Sequence, residues 1–235
     1  MATKTPLILI PGLLCTKILW RAQLTGLADV AAMTVTREHM RHDSVGAIAK
    51  AILAEAPERF ALAGLSFGGY IAFEILRQAP ERVLKLALLD TSARADTPEQ
   101  MARRRELIEL AGRGRFLGGT DRLLPLLIHP DRLTDEPLVA AIKEMAQEVG
   151  REGFVRQQVA IMGRPDSRGM LGTIRCPTLV LVGRQDAVTP LAVHEEMHAA
   201  IPGSRLVVIE RCGHLSTMER PDEVNAALRE WLAAS

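Results

Sequence analysis

The chain has 235 residues, of which 48% are hydrophobic and 3% aromatic, with 29 Lys and Arg against 28 Asp and Glu for a net charge of +1. That length supports one core or two small ones, and the balanced charge gives no field to draw in nucleic acid or an anionic membrane. Scarce aromatics argue against base-stacking platforms and cages for cationic ligands, which leaves aliphatic residues to build both core and pocket.

In chain order, residues 7–10 form a continuous apolar run that Pro11-Gly12 ends. The run suits a strand buried on both faces and is too short for a signal-peptide core or a membrane span. Residues 20–27 read as a helix and 32–36 as a β-branched strand. Ser44 offers an N-cap for a helix over 45–55, which Pro57 stops. A strand over 60–65 leads into a helix over 68–79. That helix is apolar on most of its circumference, through Tyr70, Ile71, Phe73, Ile75 and Leu76, so it belongs near the middle of a layered fold. Residues 83–89 read as the next strand.

From about Ser92 to Arg175 the pattern changes: charged residues dominate, Gly112, Gly114, Gly118 and Gly119 interrupt, and no strand pattern stands out. A helical insertion over one edge of the sheet is expected. Alternation resumes after Pro177 with a strand over 178–182, Thr189 and Pro190 as N-cap and first residue of a helix over 191–201, a strand over 205–209 and a helix over 224–232. Strands alternating with helices at these spacings predict a parallel sheet covered on both faces. Cys15, Cys176 and Cys212 are odd in number, with no Cys-x-x-Cys pair. They argue against a disulfide framework or zinc ribbon and for a soluble protein of a reducing, cytoplasmic compartment.

Gly64-Leu65-Ser66-Phe67-Gly68 joins a predicted strand to a predicted helix. Such a turn strains the serine backbone and lifts Oγ clear of the sheet, and the residues two before and two after must be small. The helix N-terminus behind Ser66 also points N–H groups at any negative charge forming beside it. A serine hydroxyl needs a base, and the base an orienting carboxylate. His214 follows the last predicted strand and leaves the same end of the sheet as Ser66. Asp186 follows the strand over 178–182 and is the favoured acid; Asp90, at the end of the strand over 83–89, competes with it.

Taken together, Ile10-Pro11-Gly12-Leu13, Gly64 to Gly69, Gly183-Arg184-Gln185-Asp186 with Thr189-Pro190, and Gly213-His214 with Glu219-Arg220-Pro221 resemble the α/β-hydrolase superfamily. The nucleophile, acid and base order Ser66, Asp186, His214 is that of these enzymes. The resemblance implies a cofactor-free hydrolase and supports Asp186 over Asp90. It implies a core of residues 1–92 and 176–235 with a helical cap over 93–175. It also suggests that the backbone N–H of Leu13 partners that of Phe67 as an oxyanion hole. Pro11 stands where the family usually has a histidine, and the two antiparallel strands that often precede the first motif have no counterpart here, so a sheet of about six strands is expected.

Two motifs compete. His194-Glu195-Glu196-Met197-His198 has the pattern of a zinc-protease helix, set against an exposed charged helix face. Arg103-Arg104-Arg105, with Arg113 and Arg115, could bind a carboxylate or phosphate, but Glu99, Glu106 and Glu109 at helical spacing favour a solvated face. Cys15 and Cys212 lie near the expected pocket as buried packing or as reactive thiols.

The expected function is a serine hydrolase of a small carboxylic ester, thioester or lactone. The alternatives are a carbon–carbon bond lyase or hydrolase of the same fold, or a slow-turnover small-molecule receptor. The expected partner is a small acyl substrate, with no nucleic acid and no membrane, bound by a monomer or homodimer. Leu117, Leu123, Leu124, Leu126, Leu127, Ile128, Ile161 and Met162 are candidates for lining the pocket or for a core within the insertion.

Overall fold

All six predicted strands form and pair in one sheet in the computed structural model, which describes residues 4–113 and 123–234. They are β1 (Thr5–Ile10), β2 (Ala31–Val35), β3 (Phe60–Leu65), β4 (Val83–Leu89), β5 (Thr178–Gly183) and β6 (Arg205–Ile209). Every pairing is parallel and the order is β2-β1-β3-β4-β5-β6. The chain therefore turns to one side of β1 and then crosses to the other, which opens a crevice at the C-terminal ends of β1 and β3. β3 and β5 are buried at every position, as their continuous apolar runs require.

The helices are α1 (Arg21–Gly26), α2 (Val45–Glu55), α3 (Phe67–Gln78), α4 (Pro98–Gly112), α5 (Leu124–Leu127), α6 (Glu136–Met162), α7 (Leu191–Ala200), α8 (Ser216–Glu219) and α9 (Pro221–Ala233). The two-residue period of the strands divides the core into two layers. Leu7, Leu9, Leu65, Leu89 and Leu181 face Trp20, Val224, Leu228 and Trp231. Ile8, Ile10, Leu62, Leu88 and Val180 face α2, α3 and α7 through Ile48, Ile52, Ile71, Phe73, Met197 and Ile201. Between β4 and β5 the described residues hold helices and turns without a strand. Leu138, Ile142 and Met145 of α6 join the first layer, and Ala160 and Ile161 join the second.

Several ends differ from expectation. The helix expected over 20–27 opens as a tighter turn, Lys17–Trp20, capped by the Thr16 side chain. The last helix starts at Pro221, because Asp222 and Glu223 give a polar first turn that apolar periodicity does not register. Pro190, not Thr189, is the N-cap of α7, and the Thr189 side chain is committed elsewhere. α6 is broken at Gly150, whose φ of 66° and ψ of 179° leave the helical region. Among the described residues no helix is long and apolar enough to cross a membrane.

Candidate active site

Ser66 follows β3 and stands at the N-cap position of α3 with φ 54° and ψ −114°. Few non-glycine residues adopt a positive φ, and here the packing leaves no alternative. A Cβ on Gly64 would lie 2.3 Å from the Gly68 carbonyl oxygen, and one on Gly68 would lie 2.1 Å from that of Ile10. The Thr91 hydroxyl donates to the Ser66 carbonyl at 2.7 Å and holds the turn from the β4 side.

The structure brings Ser66, His214 and Asp186 together. His214 Nε2 is 2.9 Å from Ser66 Oγ, and His214 Nδ1 is 2.8 Å from Asp186 Oδ2. Asp186 also accepts from the Val188 and Thr189 backbone N–H groups at 2.8 and 2.9 Å and from the Thr189 hydroxyl at 2.7 Å. The last of these bonds commits the Thr189 side chain to Asp186 instead of to capping α7. Burial alone would raise the Asp186 carboxyl, but the charge and hydrogen bond of His214, with the bonds from Thr189, hold it below the ordinary range. Burial likewise works to depress the His214 imidazolium. The charge and hydrogen bond of Asp186, with Asp90 and Glu219 nearby, outweigh it and raise the ring above its ordinary value.

Asp90 is close enough to act on this pair through its charge, but its hydrogen bonds go elsewhere. One oxygen accepts from the Gly183 N–H at 3.0 Å and the other from the Ser216 hydroxyl. Full burial, then the negative charge of Asp186, push its carboxyl well above the usual range. Leu13 lies in the loop after β1, and Phe67 is the first residue of α3. Among the described residues neither backbone N–H has a protein acceptor.

Neighbouring residues fix these loops. Glu219 accepts from the Gly213 and His129 N–H groups at 2.9 and 2.7 Å, and the His214 N–H donates to Leu127 O at 3.0 Å. Gln157 in α6 accepts from the Leu14 N–H at 3.0 Å and so ties that helix to the Leu13 loop. Thr91, Gln157 and the acceptor role of Glu219 had no sequence signal, because each acts through a backbone group distant in the chain. Glu219 was visible only as part of a motif.

A cavity of about 230 Å³ opens on Ser66 and His214. Leu123, Leu126, Leu127 and Ile161 line it as anticipated, joined by Leu107, Leu110, Ile142, Met145 and Phe154. Leu124 and Ile128 pack in the core instead, Met162 is absent from the lining, and Leu117 lies outside the described residues. The expectation that Arg103 to Arg105 form one solvated face fails at Arg104. Helical periodicity turns Arg104 inward with Leu107, while Arg103 and Arg105 are exposed. Arg113 is exposed and Arg115 lies outside the described residues.

His194 corrects a second expectation. It is buried rather than on an exposed face: its Nε2 accepts from the Thr91 N–H at 2.9 Å and its Nδ1 lies 3.3 Å from Pro190 O. Both ring nitrogens are engaged, and burial pushes the imidazolium down to about 4. His198 is exposed and bonds Ser204. No cluster of three or more metal-ligating residues forms among the described residues. All three cysteines are free thiols, and only Cys15 borders the cavity. Burial pushes the Cys15 thiol up to about 12 and that of Cys212 higher still, so both are poor nucleophiles.

A parallel sheet with helices on both faces, carrying a serine and a carboxylate each hydrogen-bonded to the same histidine at its strand ends, defines the architecture of a hydrolase. The chain belongs to the alpha/beta hydrolase family, whose family model matches residues 7–227. It is similar to the pimeloyl-(acyl-carrier protein) methyl ester esterase of Nitrosomonas europaea, 27% identical over 77% of this chain and 74% of that one. Among solved structures it resembles a thermophilic esterase from Thermogutta terrifontis, with malate bound, at a TM-score of 0.87 and 32% identity over 98% of this chain and 90% of that one. The enol-lactonase of Burkholderia xenovorans LB400 shares the fold at a TM-score of 0.88 and 24% identity, over 99% of this chain and 93% of that one.

Proposed function

We propose that this hydrolase cleaves a small carboxylic ester, thioester or lactone through an acyl-enzyme on Ser66. The observation that carries the reading is the pair of bonds at His214, 2.9 Å to Ser66 Oγ and 2.8 Å to Asp186, in the wall of an apolar cavity. Esterase names among the relatives support it.

In this mechanism Ser66 Oγ attacks the acyl carbon while His214 Nε2 takes its proton, and Asp186 stabilises the imidazolium that forms. The Leu13 and Phe67 N–H groups hold the oxyanion, each lowering the barrier by about 3 kcal/mol. His214 returns the proton to the departing alcohol or thiol. It then deprotonates a water that attacks the acyl-enzyme, releasing the acid and restoring Ser66. The helices between residues 93 and 175 act as a cap that supplies the apolar wall.

Fluorophosphonate labelling and a chain-length series of p-nitrophenyl esters test the reading. Ser66 is the expected labelled residue, and Ser66→Ala should cost on the order of 10⁴ to 10⁶ in kcat/KM. Labelling without ester turnover would favour a carbon–carbon lyase or a receptor, and a Ser66→Ala protein that kept its activity would overturn the assignment.

A further inference from the structure

Arg104 is the only permanently charged residue among the described residues that line the cavity. Its neighbours on the same wall are Leu107, Leu110, Phe154 and Ile161, so a guanidinium there is costly unless it meets an anion. Part of that need is met by Asp96, which Arg104 Nε contacts at 2.6 Å and Nη2 at 3.4 Å. Arg164 also claims Asp96, at 2.9 Å, and its other bonds run to the carbonyls of Arg94 and Ile161 while it stacks on Tyr70. The side chains of Asp96, Arg164 and Arg104 are 1%, 6% and 20% exposed. Among the described residues two guanidinium groups thus share one buried carboxylate, which leaves one positive charge in the wall without a carboxylate of its own.

Unused donors accompany that charge. A guanidinium carries five N–H groups. Besides its two bonds to Asp96, Arg104 donates Nη1 to Gln158 Oε1 at 2.8 Å, so two of its N–H groups stay free of these partners. Gln158 is 1% exposed and lines the cavity, and among the described residues its Nε2 donates to no protein group. A buried amide donor beside a surplus guanidinium matches a carboxylate oxygen pair, and a single surplus charge matches a monoanion.

We propose that the substrate carries, besides its scissile ester or lactone bond, a free carboxylate that Arg104 and Gln158 hold inside the cavity. This inference rests on the ester-hydrolase reading. Its test compares kcat/KM for monomethyl esters of the dicarboxylic acids from succinic to suberic with that for methyl esters of monocarboxylic acids of equal length. Acetyl esters of ω-hydroxy acids form a second arm and place the carboxylate on the alcohol side. At the best length, in one arm or the other, the anionic ester should be favoured on the order of tenfold or more.

Arg104→Met would strip Asp96 of a buried partner, so Gln158→Glu is the more informative variant. It keeps an acceptor for Arg104 and supplies an internal carboxylate that cancels the surplus charge. The anionic-to-neutral ratio should then fall about tenfold, and Gln158→Leu should move it in the same direction. Titration calorimetry of the same esters with Ser66→Ala protein reads binding without turnover, and the anionic ester should bind more tightly by a similar factor. Equal or stronger use of the neutral ester in both arms, or a preference that survives Gln158→Glu, overturns the carboxylate site. If no ester is turned over and Ser66 resists labelling, the hydrolase reading fails, while calorimetry still decides the carboxylate site.

Discussion

Asp186 and His214 fix each other's charge, and the pH dependence of the reaction follows from that pair. In the proposed mechanism His214 must be neutral to take the Ser66 proton, and its imidazolium is held above the ordinary 6.5. The imidazolium is therefore the form lost as pH rises, and kcat/KM should climb along a single titration centred above 6.5. Asp186→Asn removes the anion that favours the imidazolium. Its acid limb should move to lower pH while the plateau rate falls on the order of 10⁴, because Asn no longer fixes the required tautomer. A pH profile of kcat/KM for both proteins checks the two changes together. An unmoved limb would mean that the titrating base is not His214. The same residue scale shows where sequence reading stops. Ser66, Asp186 and His214 announce themselves through glycines and strand ends in their immediate neighbourhood. The burial of His194 against the Thr91 N–H and the inward turn of Arg104 are set by partners far along the chain.

At the scale of elements, α6 forms both halves of one wall. Ile142, Met145 and Ala146 lie before its break at Gly150, and Phe154, Gln158 and Ile161 lie after it. Nothing stands within 4 Å of a Cβ on Gly150, so space does not demand glycine there. The backbone does: φ 66° with ψ 179° is a conformation that only glycine adopts readily. Gly150→Ala should therefore cost about 1 to 3 kcal/mol in urea denaturation despite the open surroundings. By changing the angle between the half-helices, it should also blunt discrimination among ester chain lengths. A variant of wild-type stability would show that the break is not held by this residue. β3 was readable because a doubly covered parallel strand must be apolar along its whole length, while β4, with Lys85, and the edge strand β6, which opens on exposed Arg205, still start and stop where their apolar runs predict. The helices between β4 and β5 were readable only as a change of texture. Their apolar faces are divided between two core layers and a cavity, so no single stripe repeats along them.

Across the whole molecule, a net charge of +1 leaves no long-range field to steer a charged substrate, whereas Arg104 places a positive charge inside the cavity itself. These two sources of selectivity respond differently to salt. A surface field is screened beyond about 8 Å at physiological ionic strength, while a charge within an apolar wall is screened far less. The kcat/KM ratio of anionic to neutral ester should therefore change less than about twofold as sodium chloride is raised from about 0.02 to about 0.5 M. A ratio that collapsed with salt would place the recognising charge on the outer surface, where the exposed Arg103 and Arg105 lie, and not at Arg104. Under the proposal, a near-neutral net charge combined with one surplus positive charge at the cavity wall lets the chain choose among esters without attracting unrelated anions, since only a molecule shaped to enter the aliphatic cavity reaches the guanidinium.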